Sequence, residues 1–259
     1  MFSKRKVKQL QEILMNSWPA KHYYFLNGWI LRFTEGVTAR ANSVFPLYYN
    51  GDKETLKKDI KLVEKAYNSY NLPTIFTMHD FFEPNDLKDI LIQMDYQQLG
   101  YITNTMVAPI PQIKTGEIND NYTYNYYFNR IKEFSDFLAI FSKRDDKAQQ
   151  ILKELTFRII IPEKCFIVAR DKNKIIGTLM GVLDPREFLY IADVLVHPDY
   201  RRNGLATSLF FKVIKDWAVP KEAKTVWLQV ETDNDKALDL YQKLGMKIAY
   251  RYYYLHKNK

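Results

Sequence analysis

The sequence predicts an α/β protein in two successive parts, and two observations support this fold class. Between Ala206 and Trp217, apolar residues recur at the spacing of a helix with one buried face. Short apolar runs bounded by polar turns come before and after that helix, which is typical of strands. Helices that alternate with strands in this way pack against a sheet, and 259 residues suffice for two modest domains.

The second part, residues 117–259, has the clearer pattern. We predict strands at 122–130, 188–198, 224–232 and 247–256, two more within 164–184 joined at the turn DKNK, and helices at 132–142, 146–156, 206–217 and 234–245. Pro198 ends the strand that precedes the helix at 206–217. Gly245 ends the helix at 234–245, where a left-handed residue is common.

The first part, residues 1–112, is predicted to be a smaller α/β domain. We expect helices at 4–16, 53–69 and 84–96 and strands at 28–33, 41–49, 73–79 and 100–109. Residues 108–121 have the Pro, Gly and Asn content of a linker. The order of elements over 72–107 loosely repeats the order over 224–254, which suggests an internal duplication at the level of pattern.

Composition excludes several classes of protein. The net charge of +8 invites a nucleic-acid interpretation, but the lysines are scattered and interleaved with acidic residues, so we do not expect nucleic-acid binding. The four histidines lack metal-ligand spacing, and we expect no metal. No apolar run reaches the roughly 18–20 residues of a membrane helix, and the basic start lacks the apolar core of a signal peptide, so we expect neither a membrane span nor a signal peptide. A single cysteine, Cys165, agrees with a cytoplasmic protein.

One turn combines the features of a phosphate-binding site. The stretch HPDYRRNGLAT, residues 197–207, leads from a strand directly into a helix. The first N–H groups of a helix have no partner within it and lie at the positive end of its dipole. Gly204 allows close approach of the backbone, and Arg201 and Arg202 add forked donors that suit phosphate oxygens. These features fit a pyrophosphate, although a basic loop that only caps a helix fits the turn equally well.

Other phosphate-binding motifs are missing from the sequence. It contains no G-x-x-x-x-G-K-[ST], and no G-x-G-x-x-G follows a strand. Nucleoside triphosphates and dinucleotides are therefore disfavoured as ligands.

Two motifs in the second part resemble those of the GNAT N-acetyltransferase superfamily. LVHPDYRRNGLA, residues 195–206, is similar to the acetyl-CoA signature V-x-P-x-x-[R/Q]-x-x-G-x-[G/A], and LQVETDNDKALDLYQKLGMK, residues 228–247, is similar to its partner motif. Met246 stands where the family usually has phenylalanine. The resemblance covers about 117–257. It implies a GNAT fold, with a mixed sheet splayed at its centre.

The first part resembles at most a degenerate copy of this fold. It lacks the Arg-x-x-Gly turn, and its stretch GWILRFTEGVTARANSVFPL, residues 28–47, looks like the leading part of some two-part bacterial members. We therefore expect a GNAT-like α/β domain at 1–112 and a GNAT domain at 117–259.

The resemblance implies an acetyl-CoA-dependent N-acetyltransferase, which transfers acetyl to a primary amine by direct attack in a ternary complex. Its implied cofactor-binding residues are Leu195 and Val196 through their backbone, Arg201, Arg202, Asn203, Gly204, Leu205, Ala206 and Thr207 around the pyrophosphate, and Asn234. Asn234 suits a helix N-cap equally well. Tyr241 would be the general acid, and the alternative is an aromatic residue that only packs.

Asp193 is the best candidate for the general base, because it lies on the strand before the loop. The position where some family members carry a glutamate is Tyr190 here, which favours a water relay. A structural role for Asp193 is the alternative.

Two other functions fit the residues. One is a non-catalytic CoA-binding or interaction module, and the other is a tandem transferase that uses a charged tRNA, which the retained Arg-x-x-Gly-x-Ala turn disfavours. The residues leave the acceptor open among a small amine, an antibiotic, an amino acid and a protein N-terminus. They leave the oligomeric state open too, with a homodimer among the options.

Overall fold

A computed structural model describes residues 2–114, 116–142 and 145–258. The chain divides into two compact units. Unit 1 comprises Met1–Asn104, Glu231–Asp233 and Ala249–Lys259, and unit 2 comprises Thr105–Val230 and Asn234–Ile248. The last strand of the chain, from Ala249 onward, therefore belongs to the same unit as the N-terminal residues.

Unit 1 is a mixed sheet with three helices. Its helices are α1 (Lys4–Ser17), α2 (Leu56–Ser69) and α3 (Leu87–Gln93), and its strands are β1 (His22–Leu26), β2 (Trp29–Phe33), β3 (Val44–Phe45), β4 (Thr74–His79), the start of β5 (Gln97–Pro109) and most of β11 (Lys247–Lys257). The strands lie in the order β1-β2-β3-β4-β11-β5. The pair β3–β4 is parallel, whereas β1–β2, β2–β3 and β4–β11 are antiparallel.

Local chemistry explains two differences between unit 1 and the predicted elements. Strand β1 was not predicted, and it forms a hairpin with β2 across Asn27–Gly28, where both residues have positive φ. Strand β3 is shorter than the predicted 41–49. Pro46 cannot donate to a ladder, and the side chain of Asn42 instead bonds the backbone of a turn, accepting from Thr34 N at 2.6 Å.

Unit 2 also combines parallel and antiparallel strand pairs, and helices cover both faces of its strands. Its strands are the end of β5, β6 (Thr123–Tyr127), β7 (Lys164–Asp171), β8 (Lys174–Asp184), β9 (Phe188–Val196) and β10 (Thr225–Glu231), and its helices are α4 (Lys132–Ser142), α5 (Asp146–Phe157), α6 (Leu205–Lys212) and α7 (Asp235–Lys243). The strands lie in the order β5-β10-β9-β8-β7-β6. Helix α6 continues as one π-helical stretch, Val213–Ala218.

The sheet of unit 2 parts at its centre, between β9 and β10. These parallel strands pair only over Phe188–Ile191 and Thr225–Leu228. On the other side of β9, the register with β8 shifts between Thr178 and Met180, so β9 carries an extra residue there. Asp193 lies at this bulge and has a φ of +51°. The predicted mixed sheet with a central splay is confirmed.

The two faces of this sheet bury different side chains. Val226 and Leu228 of β10 pack in one core with Leu209 and Phe210 of α6. On the opposite face, the rings of Tyr190 and Trp227 pack with centroids 4.6 Å apart and planes inclined by 36°. The ring centroids of Phe134 in α4 and Phe166 in β7 lie 5.3 Å apart. Phe166 points to this second face because its neighbours Cys165 and Ile167 point into the core beside α6, and side chains alternate along a strand.

Across the described residues, no helix is both long enough and apolar enough to cross a membrane.

Candidate functional site

The loop after β9 turns sharply into α6. His197 begins a short 3₁₀ turn, Pro198–Tyr200, and its Nδ1 accepts from Asp199 N at 3.3 Å. Arg202 and Gly204 then adopt left-handed conformations, with φ of +63° and +73°. A Cβ at Gly204 would meet no heavy atom within 4 Å, so the space above the loop is open.

Helix α6 begins without a side-chain cap. Gly204 is the N-cap, and the first intrahelical bond runs from Ser208 N to Gly204 O at 2.8 Å. The amides of Leu205, Ala206 and Thr207 precede this bond, so they are available to a ligand. Because the helix dipole adds positive potential there, the start of α6 suits an anion.

A neighbouring segment supports the start of α6. Asn119 N donates to the Oγ of Ser208 at 2.9 Å, and Asn119 Nδ2 donates to the carbonyl of Asn203 at 3.4 Å. A Cβ at Gly116 would lie 2.4 Å from the ring of Phe211, so this segment lies directly against α6. The loop is thus held in place while its outer surface stays open.

A cleft of about 460 Å³ opens between this loop and α7. It is lined by Val196, Tyr200, Arg201, Arg202, Gly204, Leu205, Ala206, Thr207, Lys236, Asp239, Leu240 and Lys243. Four of these side chains are cationic, and one is a carboxylate. The cleft therefore has a positive surface that suits a ligand with several phosphate charges.

The structure brings most of the predicted loop residues to this cleft. Val196, Arg201, Arg202, Gly204, Leu205, Ala206 and Thr207 line it. Arg201 also bonds back to the strand, since its Nε donates to Val196 O at 3.2 Å. Leu195 and Asn203 do not line the cleft but are next to residues that do. Asn234 caps α7, and its Oδ1 accepts from Ala237 N at 3.2 Å.

Sequence reasoning missed three charged residues of the cleft. Lys236, Asp239 and Lys243 of α7 contribute to its lining. Their spacing of i, i+3 and i+7 places them on one face of a helix, which is the signal that could have identified them. Lys236 and Lys243 double the number of cations facing the cleft.

Tyr241 lies on the buried side of α7. It is 7% exposed, and its ring centroid lies 6.1 Å from that of Phe210 in α6. Burial raises the pKa of the Tyr241 phenol to about 12. The phenol therefore keeps its proton at neutral pH, which a proton donor requires.

Asp193 is fixed at the bulge by bonds to its side chain and backbone. Its Oδ2 lies 3.3 Å from Nη1 of Arg130, and the side chains of Arg130 and Asp193 are 1% and 14% exposed. Its carbonyl accepts from Thr178 Oγ1 at 3.2 Å. Arg130 is itself held by Ser135, because its Nε donates to Ser135 Oγ at 3.0 Å. The carboxylate thus has a fixed position on β9.

The end of β9 has one edge paired and one edge open. Leu195 and Val196 pair with Thr178 and Gly177 of β8. Within the described chain, the ladder between β9 and β10 has already stopped at Ile191. Beyond Ile191, the edge of β9 that faces away from β8 is therefore free of the ladder with β10. At Val196 the carbonyl accepts from Arg201 Nε, whereas Leu195 O lies toward β8, 3.2 Å from a Cβ built at Gly177.

Acetyl-CoA fits the donors present. The uncapped helix start, the left-handed loop and the four cations match a pyrophosphate with further phosphate charge. The open edge of β9 offers backbone groups that match the amides of a pantetheine arm. Among residues 2–114, 116–142 and 145–258, no group of three or more His, Cys, Asp or Glu is arranged to hold a metal ion.

Two family models match the chain. The model for the "Acetyltransferase (GNAT) family" matches residues 131–246. The model for "Probable histone acetyltransferase Rv0428c C-terminal" matches residues 5–92. The first match includes the loop, α6, α7 and both strands at the splay.

Individual proteins agree with these matches. The chain is 26% identical over 257 residues to the "Uncharacterized N-acetyltransferase YobR" of Bacillus subtilis, covering 96% of this chain and 97% of that protein. It is 32% identical over 125 residues to the "N-alpha-acetyltransferase MAK3" of Arabidopsis thaliana, covering 46% and 65%.

A solved structure shares the fold over the full length. The GCN5-related N-acetyltransferase from Kribbella flavida superposes with a TM-score of 0.71 at 11% identity, covering 100% of this chain and 97% of that one. The two family matches, together with this fold, show that the chain belongs to the GNAT acetyltransferase family, with its GNAT domain at residues 131–246 and an Rv0428c-like region at residues 5–92.

Proposed function

We propose that the chain transfers an acetyl group from acetyl-CoA to a primary amine by direct attack within a ternary complex. The observation that carries the proposal is the cleft, where the uncapped start of α6 and four cations meet the end of β9 at its open edge. Bound acetyl-CoA would supply a thioester whose carbonyl carbon an amine can attack.

The chain's phosphate contacts come from the start of α6, the loop before it and the lysines of α7, Lys236 and Lys243. The amides of Leu205, Ala206 and Thr207 donate to the pyrophosphate, as the first N–H groups of a helix do. Arg202 adds charge from the loop, and Arg201 both bonds the carbonyl of Val196 and faces the cleft. Asn203 orders the loop through its carbonyl, which accepts from Asn119.

Backbone groups of β9 orient the acyl end. The edge of β9 beyond Ile191, which the ladder with β10 leaves open, bonds the amides of the pantetheine arm and donates to the acetyl oxygen. A fixed backbone N–H aimed at the oxygen where negative charge develops is worth several kcal/mol of barrier, on the order of 3. Asn234 holds the first turn of α7, beside the same gap, through its cap.

Two side chains move protons. Tyr241 donates its phenolic proton to the sulfur as the carbon–sulfur bond breaks, since its phenol is protonated at neutral pH. Asp193 accepts the proton of the attacking amine through a water molecule, and Arg130 positions its carboxylate. The new carbon–nitrogen bond forms as the carbon–sulfur bond breaks, so the products are the acetylated amine and free CoA.

Amine-dependent release of CoA tests the proposal. The protein is incubated with acetyl-CoA and a panel of primary amines, and both free thiol and acetylated amine are measured. We expect equal amounts of the two products, and thiol release only when a suitable amine is present. Binding of acetyl-CoA without turnover across the panel would instead identify a CoA-binding module, and failure to bind acetyl-CoA would overturn both functions.

A further inference from the structure

On strands β5 and β10, three polar side chains have buried atoms that find no hydrogen-bond partner among the described residues. These atoms are Thr105 Oγ1, Trp227 Nε1, and both amide atoms of Gln229. Thr105 and Trp227 are fully buried. A buried polar group without a partner costs about 1–3 kcal/mol, so such groups are rare and need an explanation. We call these three residues the polar trio.

Strand register places the polar trio together. Ile110 N donates to Lys224 O at 2.8 Å, and Thr232 N donates to Ile102 O at 2.8 Å. These two bonds set one antiparallel register between β5 and β10, in which Thr105 lies directly opposite Gln229. Directly opposed side chains have Cβ atoms about 4.5–5.5 Å apart. Trp227 lies two residues before Gln229 and thus shares its face.

The polar trio lies where the sheet parts. Ile191 and Leu228 form the last pair between β9 and β10, and Gln229 is the next residue of β10. Leu228 and Val230 pack in the core with α6, so Gln229 points to the other face. The packed rings of Tyr190 and Trp227 lie on this face, within the paired stretch of the two strands. Gln229 therefore lines the β10 side of the gap whose β9 side holds Leu195 and Val196.

The available donors and acceptors define the chemistry of a ligand. Trp Nε1 only donates, whereas a carboxamide and a hydroxyl both donate and accept. On this face of the two strands, unit 2 contributes Thr105, Val107, Pro109, Thr225, Trp227 and Gln229, none of which is charged. A carboxylate or second ammonium would therefore be desolvated against them without an ionic partner. A neutral amide satisfies the polar trio, since it offers both N–H and C=O.

We propose that Thr105, Trp227 and Gln229 bind an amide group of the acceptor, so that the enzyme acetylates amines whose neighbouring carbon carries a carboxamide or a peptide bond. The inference rests on the proposed function and names its substrate class, aminoacyl amides and peptide N-termini. Trp227 Nε1 donates to the amide oxygen, and the carboxamide oxygen of Gln229 accepts from the amide N–H.

A paired-substrate experiment isolates this contact. The probes are alaninamide and 3-methylbutan-2-amine, in which an isopropyl group replaces the carboxamide. We expect the wild-type protein to favour alaninamide in kcat/KM, and Gln229→Leu to reduce that ratio by about tenfold or more. The two probes differ in amine basicity, but this difference affects the kcat/KM ratio equally in every variant and therefore cancels when variants are compared. Thr225→Val, on the same face of β10, is the matched control and should leave the ratio unchanged.

A binding measurement gives a readout without turnover. Calorimetry with N-acetylalaninamide and no acetyl-CoA should give a dissociation constant about tenfold weaker for Gln229→Leu than for wild type. If Gln229→Leu fails to fold, the isosteric Thr105→Val is measured in the same two assays and should shift both in the same direction.

The outcomes separate the inference from the proposed function. CoA release with an unchanged substrate ratio in folded Gln229→Leu and Thr105→Val would overturn the amide site and leave the acetyltransferase standing. In that case buried water satisfies the polar trio. Absence of both acetyl-CoA binding and CoA release in the wild-type protein would instead overturn the proposed function.

Discussion

Ile191 and Leu228 form the last residue pair between the parallel strands β9 and β10. Beyond this pair the two strands part, and their facing edges leave the ladder. The edge of β9 leads into the phosphate-binding loop, whereas β10 leads through Gln229 toward α7. The cofactor cleft and the proposed acceptor site therefore both begin where the ladder between β9 and β10 ends.

The first prediction concerns the proton donor. Tyr241→Phe removes the phenol but keeps the ring that packs on Phe210. We expect kcat to fall by about 10²-fold or more, with acetyl-CoA affinity almost unchanged, because the proton is needed only when the thiolate leaves. Tyr126→Phe, whose phenol bonds Asp216 outside the cleft, is the control for loss of a tyrosine hydroxyl. Equal turnover in Tyr241→Phe and wild type would exclude the acid role.

The second prediction concerns the proton acceptor. Asp193→Asn keeps the shape of the side chain at the bulge but lacks a basic oxygen. We expect kcat/KM for the amine to fall by about 10²-fold and its pH profile to change, while acetyl-CoA still binds. Asp184→Asn is the matched control, because Asp184 is a buried carboxylate of unit 2 paired with Arg186 at 2.7 Å. If a folded Asp193→Asn protein kept the wild-type pH profile of kcat/KM, the Asp193 carboxylate would have only a structural role at the bulge.

The third prediction concerns the cations of α7. Changing both Lys236 and Lys243 to glutamine should weaken acetyl-CoA binding by about tenfold at low salt, and by less at high salt, where ions screen exposed charges. Titration calorimetry at two ionic strengths measures this. Lys247→Gln, an exposed lysine of the same unit outside the cleft, should leave affinity unchanged. If the double variant lost no more affinity for acetyl-CoA than Lys247→Gln, α7 would not contribute to the phosphate site.

The fourth prediction concerns the acid stability of unit 1. Burial alone would raise the pKa of Glu83, but bonds from Lys4, Lys8 and Tyr49 N outweigh burial and lower it from 4.5 to about 2. A carboxyl group with a lowered pKa in the folded state stabilises the protein above pH 4.5, and this contribution is lost as pH falls toward 2.

Denaturant unfolding across that pH range provides the measurement. Glu83→Gln should lower the free energy of unfolding at neutral pH by about 1 kcal/mol and flatten its decline between pH 4.5 and 2, since solvent screens this partly exposed group. The exposed Glu54 provides the control variant, Glu54→Gln, which should keep the wild-type slope. An unchanged slope in Glu83→Gln would contradict the assignment.

Much of unit 2 could be predicted because its signals are local. The helical period of apolar residues from Ala206 predicts α6, and the polar turn DKNK predicts the two strands β7 and β8 that it joins. The structure contains all three elements. The end of α6 differs, since Val213–Ala218 is a π-helix and apolar spacing does not distinguish its hydrogen bonds from those of an α-helix. In unit 1, the Asn27–Gly28 signal for a hairpin was present in the sequence but was missed.

The rest of the candidate site depends on contacts between distant segments. Asp193 is separated by 63 residues from Arg130, and no local pattern predicts their pairing. Thr105 and Gln229 come together only through the register of β5 and β10, and their unpartnered atoms are a property of packing. Sequence could identify the phosphate loop, because all of its features lie within one short segment.

The most direct test of the cofactor cleft is thermal unfolding with and without excess acetyl-CoA, with NAD and ATP as controls. The wild-type protein should be stabilised by acetyl-CoA alone, by about 2.7 kcal/mol at 100 times the dissociation constant. Gly204→Glu should lose this stabilisation, because its carboxylate repels phosphate at the start of α6. Gly100→Glu should retain it, since Gly100 also has positive φ and open space around it but lies in unit 1. No shift with acetyl-CoA in the wild-type protein, or equal shifts in both variants, would contradict the account.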